Sequence, residues 1–282
     1  MGDNHRSMSQ ERSKGSVIAV SLFLATLASG GGLRAMAFAQ ARLTNTLELR
    51  LVLIFSEMAL ALPALVAAGL LARHIPEIYR FPQMSRRVGL TTAALGLSLW
   101  ALSLGMFEAQ YVFVRPPLAY LEQFQGFHAL LKPGSLPGWV FSIAAIAVAP
   151  AVCEEILFRG LLTPVFRFAF GSAVAIVSSG ALFGAIHIDT LPDGTSVYYR
   201  VPFAFILGML LAKIRLDTRS LWPPMIAHAT LNATTFVVVL LMEEPEAVLP
   251  DPQPFVALAM LLVGGSIARI LMRQIRAVKA VA

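Results

Sequence analysis

Eight stretches of the chain are almost wholly apolar over lengths that approach that of a membrane-spanning helix. Crossing the hydrocarbon core of a bilayer takes about 20 mainly apolar residues in helical form. The stretches cover about 16–33, 51–72, 88–107, 139–158, 172–188, 201–214, 222–242 and 254–272, and the fifth and sixth are the shortest. The pattern predicts an all-α fold, a polytopic integral membrane protein built as a bundle of about eight transmembrane helices.

The composition agrees with a lipid environment. Hydrophobic residues make up 57% of the chain and charged residues 13%, whereas charged residues are about a quarter of a soluble domain. The single cysteine, Cys153, excludes both a disulfide within the chain and a zinc site made of cysteines.

The basic residues predict the orientation in the membrane. If the N-terminus is cytoplasmic, 16 of the 22 Lys and Arg residues lie in cytoplasmic segments, in line with the positive-inside rule. Both termini are then cytoplasmic, and the formal net charge of +6 reflects this topology and contact with anionic lipid in the bilayer. Nothing in the sequence indicates nucleic-acid binding. The composition favours a multi-pass protein of a prokaryotic plasma membrane.

The first apolar stretch allows a second interpretation. A basic tail, an apolar run at 17–28 and the small residues of "AFAQA" resemble a secretory signal peptide with its cleavage site. Cleavage there would leave seven spans. The polar interruption at 30–34 favours an uncleaved first span.

Three charged residues stand at the end of the fourth stretch, in "AVCEEILFRG". Positions four apart share a helix face, so Glu155 is the natural partner of Arg159 and Glu154 is not. An acid at the membrane centre costs about 2.5–3.5 kcal/mol on insertion scales and usually faces a bundle interior or a wet cavity. We expect Glu155 and Arg159 to form the structural part of a site in which Glu154 is the functional residue. The alternative is an ion-paired cluster that holds two helices together.

Two further polar intrusions follow in the later stretches. His187 ends "SSGALFGAIHID" with Phe183 one turn earlier, and a chain reversal near Gly171 would place His187 opposite Glu154 in a helical hairpin. In "PPMIAHATLNAT", His228 and Asn232 are four apart and therefore share a face.

These side chains fit the hydrolysis of an amide by an activated water. Glu154 is a candidate general base, and His187 a candidate to hold the water and relay its proton. His228 and Asn232 are candidate donors to the oxyanion that forms when a carbonyl is attacked. Two histidines and a glutamate are also a catalytic zinc ligand set. Because the usual His-Glu-x-x-His helix is absent, we expect no metal and no cofactor, with zinc as the alternative.

The three motifs "EEILFR", "FGAIH" and "HATLN" resemble the signatures of the CAAX prenyl endopeptidase and bacteriocin-processing family of intramembrane proteases. The resemblance covers about 139–240. It implies an all-helical bundle in which Glu154 and His187 activate water, while His228 and Asn232 form the oxyanion site. Glu155, Arg159 and Phe183 belong to the same motifs as supporting residues.

The predicted spans and the resemblance together divide the chain into four parts. Residues 1–15 form a cytoplasmic tail; 16–138 hold the N-terminal transmembrane helices and an outer-side loop; 139–242 form the catalytic core; and 243–282 hold the last span and a basic cytoplasmic tail. Within the second part, 108–138 is either an interfacial or lid segment or a plain connecting loop.

The expected activity is endopeptidase cleavage of a membrane-associated protein or peptide, and the sequence does not indicate an oligomeric state. The competing class is a non-catalytic membrane protein, either a peptide-binding immunity factor or a transporter-like bundle. Glu57 gives that class some support, because an acid in mid-span could belong to an ion path. An interhelical hydrogen bond is the favoured role for Glu57.

Overall fold

A computed structural model describes residues 46–72, 75–241 and 253–281, together with Ser21 and Leu24. The predicted N-terminal tail, almost all of the first predicted span and the candidate cleavage site lie outside these residues.

The described part of the chain is almost entirely helical. Eight helices follow in order: α1 Thr46–Leu71, α2 Arg86–Phe113, α3 Leu118–Leu130, α4 Leu136–Phe170, α5 Ser172–Ala185, α6 Val201–Thr218, α7 Trp222–Leu241 and α8 Pro254–Val281. A two-stranded antiparallel ladder, β1 Asp189–Thr190 and β2 Ser196–Val197, joins α5 to α6. The all-α prediction is confirmed.

Five of these helices are long and apolar enough to cross a membrane. They are Thr46–Leu71, Arg86–Phe113, Leu136–Phe170, Trp222–Leu241 and Pro254–Arg276. The chain is therefore a multi-pass membrane protein. Helix α5 is apolar but has only 14 residues, and α6 carries charged residues in its last turns. The count of about eight spans stays a prediction.

Helix α4 changes its hydrogen-bonding pattern twice along its length. It is α-helical at Leu136–Ile143, Ala149–Glu155 and Thr163–Phe170, and π-helical at Ala144–Val148 and Ile156–Leu162. A proline follows each π segment, at Pro150 and Pro164. Because proline lacks an N–H, local π adjustment is one way in which a membrane helix keeps its backbone groups paired. Glu154 and Glu155 lie on the short α-helical piece between the two π segments.

The chain reverses after α4, at the position that the hairpin interpretation requires. The helix ends at Phe170 and the next begins at Ser172, so Gly171 alone makes the turn. Its φ of 86° lies in the left-handed region that favours glycine. Helices α4 and α5 pack against each other beyond this turn and form a helical hairpin.

The segment between α2 and α4 holds a helix of its own. Helix α2 continues to Phe113, further than predicted, and α3 occupies Leu118–Leu130. The interpretation of 108–138 as a plain connecting loop is therefore wrong. Its placement at the membrane interface stays a prediction.

Small residues allow α5 and α6 to approach closely, which is typical of helix pairs in membranes. A Cβ atom on Gly208 would lie 2.8 Å from Gly180 Cα and 2.9 Å from Phe183 Cβ. The backbone of α6 therefore lies directly against the part of α5 that carries Phe183, and there is no space between them for a side chain.

We expect Gly208→Ala to lower the free energy of unfolding by about 1–3 kcal/mol, because the new methyl group overpacks this contact. Denaturant unfolding in detergent measures the change. Gly69→Ala on α1 is the matched control, since a Cβ there meets nothing within 4 Å. Equal unfolding free energies for the two variants would contradict the close approach.

Candidate active site

The predicted pair of Glu155 and Arg159 is present and fully buried. Arg159 Nη1 donates to Glu155 Oε1 over 2.7 Å, and both side chains are 0% exposed. Arg159 Nη2 donates to the carbonyl oxygen of Gly208 over 2.9 Å. The guanidinium also lies over two rings, with its Cζ 4.6 Å from the centroid of Phe183 and 5.5 Å from that of Phe158. The cation therefore ties α4 to both α5 and α6.

Glu155 also contacts His228. The sequence did not predict this contact. His228 Nδ1 lies 3.1 Å from Glu155 Oε1, the oxygen that accepts from Arg159. A carboxylate only accepts hydrogen bonds, so Nδ1 of His228 carries a proton. This contact fixes the rotation of the imidazole and directs its other nitrogen away from Glu155.

That other nitrogen faces Glu154. His228 Nε2 lies 3.9 Å from Glu154 Oε2, and the two side chains are 3% and 7% exposed. The separation exceeds a direct hydrogen bond, but the two groups face each other as neighbours. The structure thus brings Glu154, Glu155, Arg159 and His228 into one buried cluster.

The ring of Phe183 lies between His187 and the cluster and contacts both. The ring of Phe183 lies 4.6 Å from that of His187 and 5.7 Å from that of His228, so it lies beside both imidazoles. His187 Nδ1 lies 2.7 Å from the carbonyl oxygen of Phe183. Because a carbonyl only accepts, Nδ1 carries a proton, and in the neutral imidazole the lone pair then lies on Nε2.

Asn232 lies one turn beyond His228 on α7, on the same helical face, and its side chain is half-buried. All seven predicted site residues therefore lie on α4, on or just after α5, or on α7. Their chemical roles stay predictions at this point.

Two charged residues outside the predicted set lie near the helix segment that carries Glu154. Arg200, next to the start of α6, interacts electrostatically with Glu154. Glu57 on α1 is 2% exposed and interacts electrostatically with Cys153, on the helix segment that carries Glu154. Only Glu57 had a signal in the sequence, as an acid in an apolar stretch; Arg200 stands in a loop without periodicity.

Among the residues that the structure describes, no group of three or more His, Cys, Asp or Glu side chains is arranged to hold a metal ion. The expectation of a site without metal or cofactor stays a prediction.

Part of the chain matches a family of known proteins. Residues 136–234 match a family model described as Rce1-like, type II CAAX prenyl endopeptidase Rce1-like. The match begins with the first residue of α4 and includes all seven predicted site residues. No curated protein and no solved structure gives a significant match.

Proposed function

Because this chain carries an Rce1-like domain of the CAAX protease family at residues 136–234, we propose that it hydrolyses a peptide bond within the membrane by means of a water activated at Glu154. The observation that carries the proposal is the 3.9 Å approach of His228 Nε2 to Glu154 Oε2 inside a buried cluster. The approach pairs a potential base with a potential oxyanion donor.

The charges of the cluster support this pairing. Glu155 and Arg159 cancel each other, so Glu154 and His228 decide whether the cluster is neutral. It is neutral with a carboxylate and an imidazolium, or with a carboxylic acid and a neutral imidazole. Burying an unpaired charge is costly, and both of these forms avoid it. They differ only in the position of one proton between Glu154 and His228.

The ionised form provides both functions at once. In this form Glu154 is a carboxylate able to accept a proton from water, and His228 Nε2 carries an N–H directed toward the same region. Glu155 stabilises the imidazolium from the other side through Nδ1. The neutral form has neither function, because Glu154 then holds a proton and His228 Nε2 has none.

The reaction then proceeds in two steps. Glu154 takes a proton from water while the water oxygen bonds to the carbonyl carbon, and the carbonyl oxygen becomes an oxyanion. His228 Nε2–H and the Asn232 amide donate to that oxyanion. As the C–N bond breaks, the proton on Glu154 passes to the leaving amine nitrogen. His187 accepts a hydrogen bond from the water at Nε2 and helps to relay its proton.

The substrate follows from the location of the site. The residues lie on helices of a multi-pass membrane protein, so we propose a membrane-associated protein or peptide as the substrate. The matched family is described by its action on prenylated CAAX proteins, which makes a prenylated C-terminal segment one candidate. We place both termini in the cytoplasm on the distribution of the basic residues, and the protein in a prokaryotic plasma membrane on its composition.

Mass spectrometry of protein N- and C-termini tests the proposal directly. Membranes of the source cells that express the wild type are compared with membranes that contain Glu154→Gln at an equal level. We expect a small set of termini to disappear in the variant, and these termini name the substrate and its cleavage position. If every terminus persists, the proposal is wrong and the cluster becomes a binding site of a non-catalytic protein.

The same membranes test the metal question. We expect the termini to form at an unchanged rate after the membranes are treated with a zinc chelator, because Glu154 and not a metal activates the water. Loss of cleavage with the chelator, restored by added Zn²⁺, would contradict a metal-free mechanism.

A further inference from the structure

His187 lies just beyond the last residue of α5. Its backbone N–H donates to Gly184 O over 3.0 Å, and the next N–H, from Ile188, donates to Ala185 O over 3.4 Å. These i→i−3 bonds form the last turn of the helix. Within this turn the imidazole contacts the carbonyl oxygen and the ring of Phe183. Because no further helical turn follows, the position of the turn itself also depends on the chain that comes next.

The chain that follows is a closed hairpin segment, residues 186–200. Its two short strands pair Asp189 with Val197 and Thr190 with Ser196. The segment is then closed by an ion pair, in which Arg200 Nε and Nη2 donate to the two carboxylate oxygens of Asp189 over 2.7 and 2.5 Å. Such two-point contacts between a guanidinium and a carboxylate fix orientation as well as distance.

The outer side of the hairpin segment is anchored to α2 and α3. Gln110 Nε2 donates to Tyr199 O over 3.0 Å, and the ring of Tyr199 packs against those of Phe107 and Tyr120 at 5.8 and 5.9 Å. Burial raises the pKa of Tyr199 to about 12. The hairpin segment therefore packs on a largely buried cluster of aromatic rings, Phe107, Tyr120 and Tyr199. The ion pair connects this cluster to the residues that adjoin His187.

We propose that the ion pair between Asp189 and Arg200 is a positioning device for the active site. It fixes the chain two residues after His187 to the start of α6, and so holds the imidazole at one distance from Glu154. Arg200 interacts electrostatically with Glu154 from the same location. The role in catalysis rests on the proposed function, whereas the effect on His187 does not.

Nuclear magnetic resonance of the full chain in detergent, labelled with 15N in histidine, tests the effect on His187. The chain has five histidines, and the signals that vanish in His187→Gln belong to that residue. We expect wild-type His187 to show the Nδ1–H tautomer. Asp189→Asn and Arg200→Gln should each shift the 15N signals of the His187 ring toward the values of two exchanging tautomers. The 15N signals of His228 should not shift. The charge-swapped variant, Asp189→Arg with Arg200→Asp, should restore them.

Kinetics test the effect on catalysis, with a peptide that spans the cleavage site located by mass spectrometry as the probe. We expect kcat to fall about 10- to 100-fold in each single variant, with KM unchanged, because the imidazole is misplaced. The control variants Asp217→Asn and Arg276→Gln break another ion pair, between α6 and α8, whose side chains are 25% and 44% exposed. Both should keep the wild-type kcat.

Three results would overturn the positioning role. Unchanged His187 signals in both single variants would show that the ion pair does not hold the imidazole. A raised KM with an unchanged kcat would show that Arg200 contacts the substrate instead. A charge-swapped variant that folds, as judged by its unfolding temperature, but restores neither property would show that the pairing is irrelevant. If Glu154→Gln still cleaves the peptide, the proposed function is wrong. The 15N signals of His187 still decide whether the ion pair positions this residue.

Discussion

Replacing Glu154 by Gln is expected to lower kcat by about 10²- to 10⁴-fold, the usual contribution of a positioned general base. The amide keeps the size of the side chain and its capacity for hydrogen bonds but accepts no proton from water. His228 Nε2, 3.9 Å from the wild-type carboxylate oxygen, then faces an amide in place of the carboxylate. Purified protein in detergent or vesicles, with the peptide located by mass spectrometry, provides the measurement.

The control for this change is Glu122→Gln, which makes the same substitution on an exposed position of α3. It should leave kcat and the unfolding temperature unchanged. A Glu154→Gln variant that keeps its fold and retains wild-type kcat would remove Glu154 from the chemistry. A variant that loses both fold and activity would show that Glu154 contributes mainly to structure.

Replacing Arg159 by Met is expected to lower the free energy of unfolding by about 3–5 kcal/mol, because it strands a buried carboxylate. Arg159 is 0% exposed and holds Glu155, whose Oε1 also orients His228. Methionine fills much of the volume but provides no charge. We therefore expect less folded protein, a lower unfolding temperature in detergent, and loss of cleavage in the fraction that does fold.

Arg167→Met is the matched control for this second change. Arg167 pairs with Glu77 over 3.0 Å, but the two side chains are 31% and 32% exposed. Ion pairs that water reaches contribute about 0–1 kcal/mol, so this variant should unfold close to the wild type. Similar unfolding temperatures for both variants would contradict the dependence of the site on a buried cation.

Local spacing predicted the parts of the site that depend on one helix or one turn. The i,i+4 rule paired Glu155 with Arg159. The midpoint between Glu154 and His187 falls between Phe170 and Gly171, which indicated where a reversal would place the two residues opposite each other. Hydrophobic runs located the apolar helices, because lipid requires about the same length of helix in every span. These signals depend only on neighbouring residues, so a single sequence contains them.

Contacts between distant segments left no such signal. Glu155 and His228 are far apart along the chain, and any of several polar residues could have faced Glu155. The ion pair between Asp189 and Arg200 closes a loop whose residues have no helical period. The π segments of α4 were also missed, because analysis of helix faces assumes 3.6 residues per turn and the i→i+5 pattern departs from it.

The π segment at Ile156–Leu162 has a consequence for chain length. A π turn contains more residues than an α turn for nearly the same advance along the axis, so the segment stores surplus chain inside a continuous helix. Removing one residue there lets the backbone relax to the ordinary pattern, with the glutamates before it and the hairpin after it kept in phase. The same removal in the uninterrupted helix α7 would rotate everything beyond it by about 100°. A one-residue deletion should therefore be tolerated best immediately after Glu154 and Glu155, where point substitutions are tolerated least.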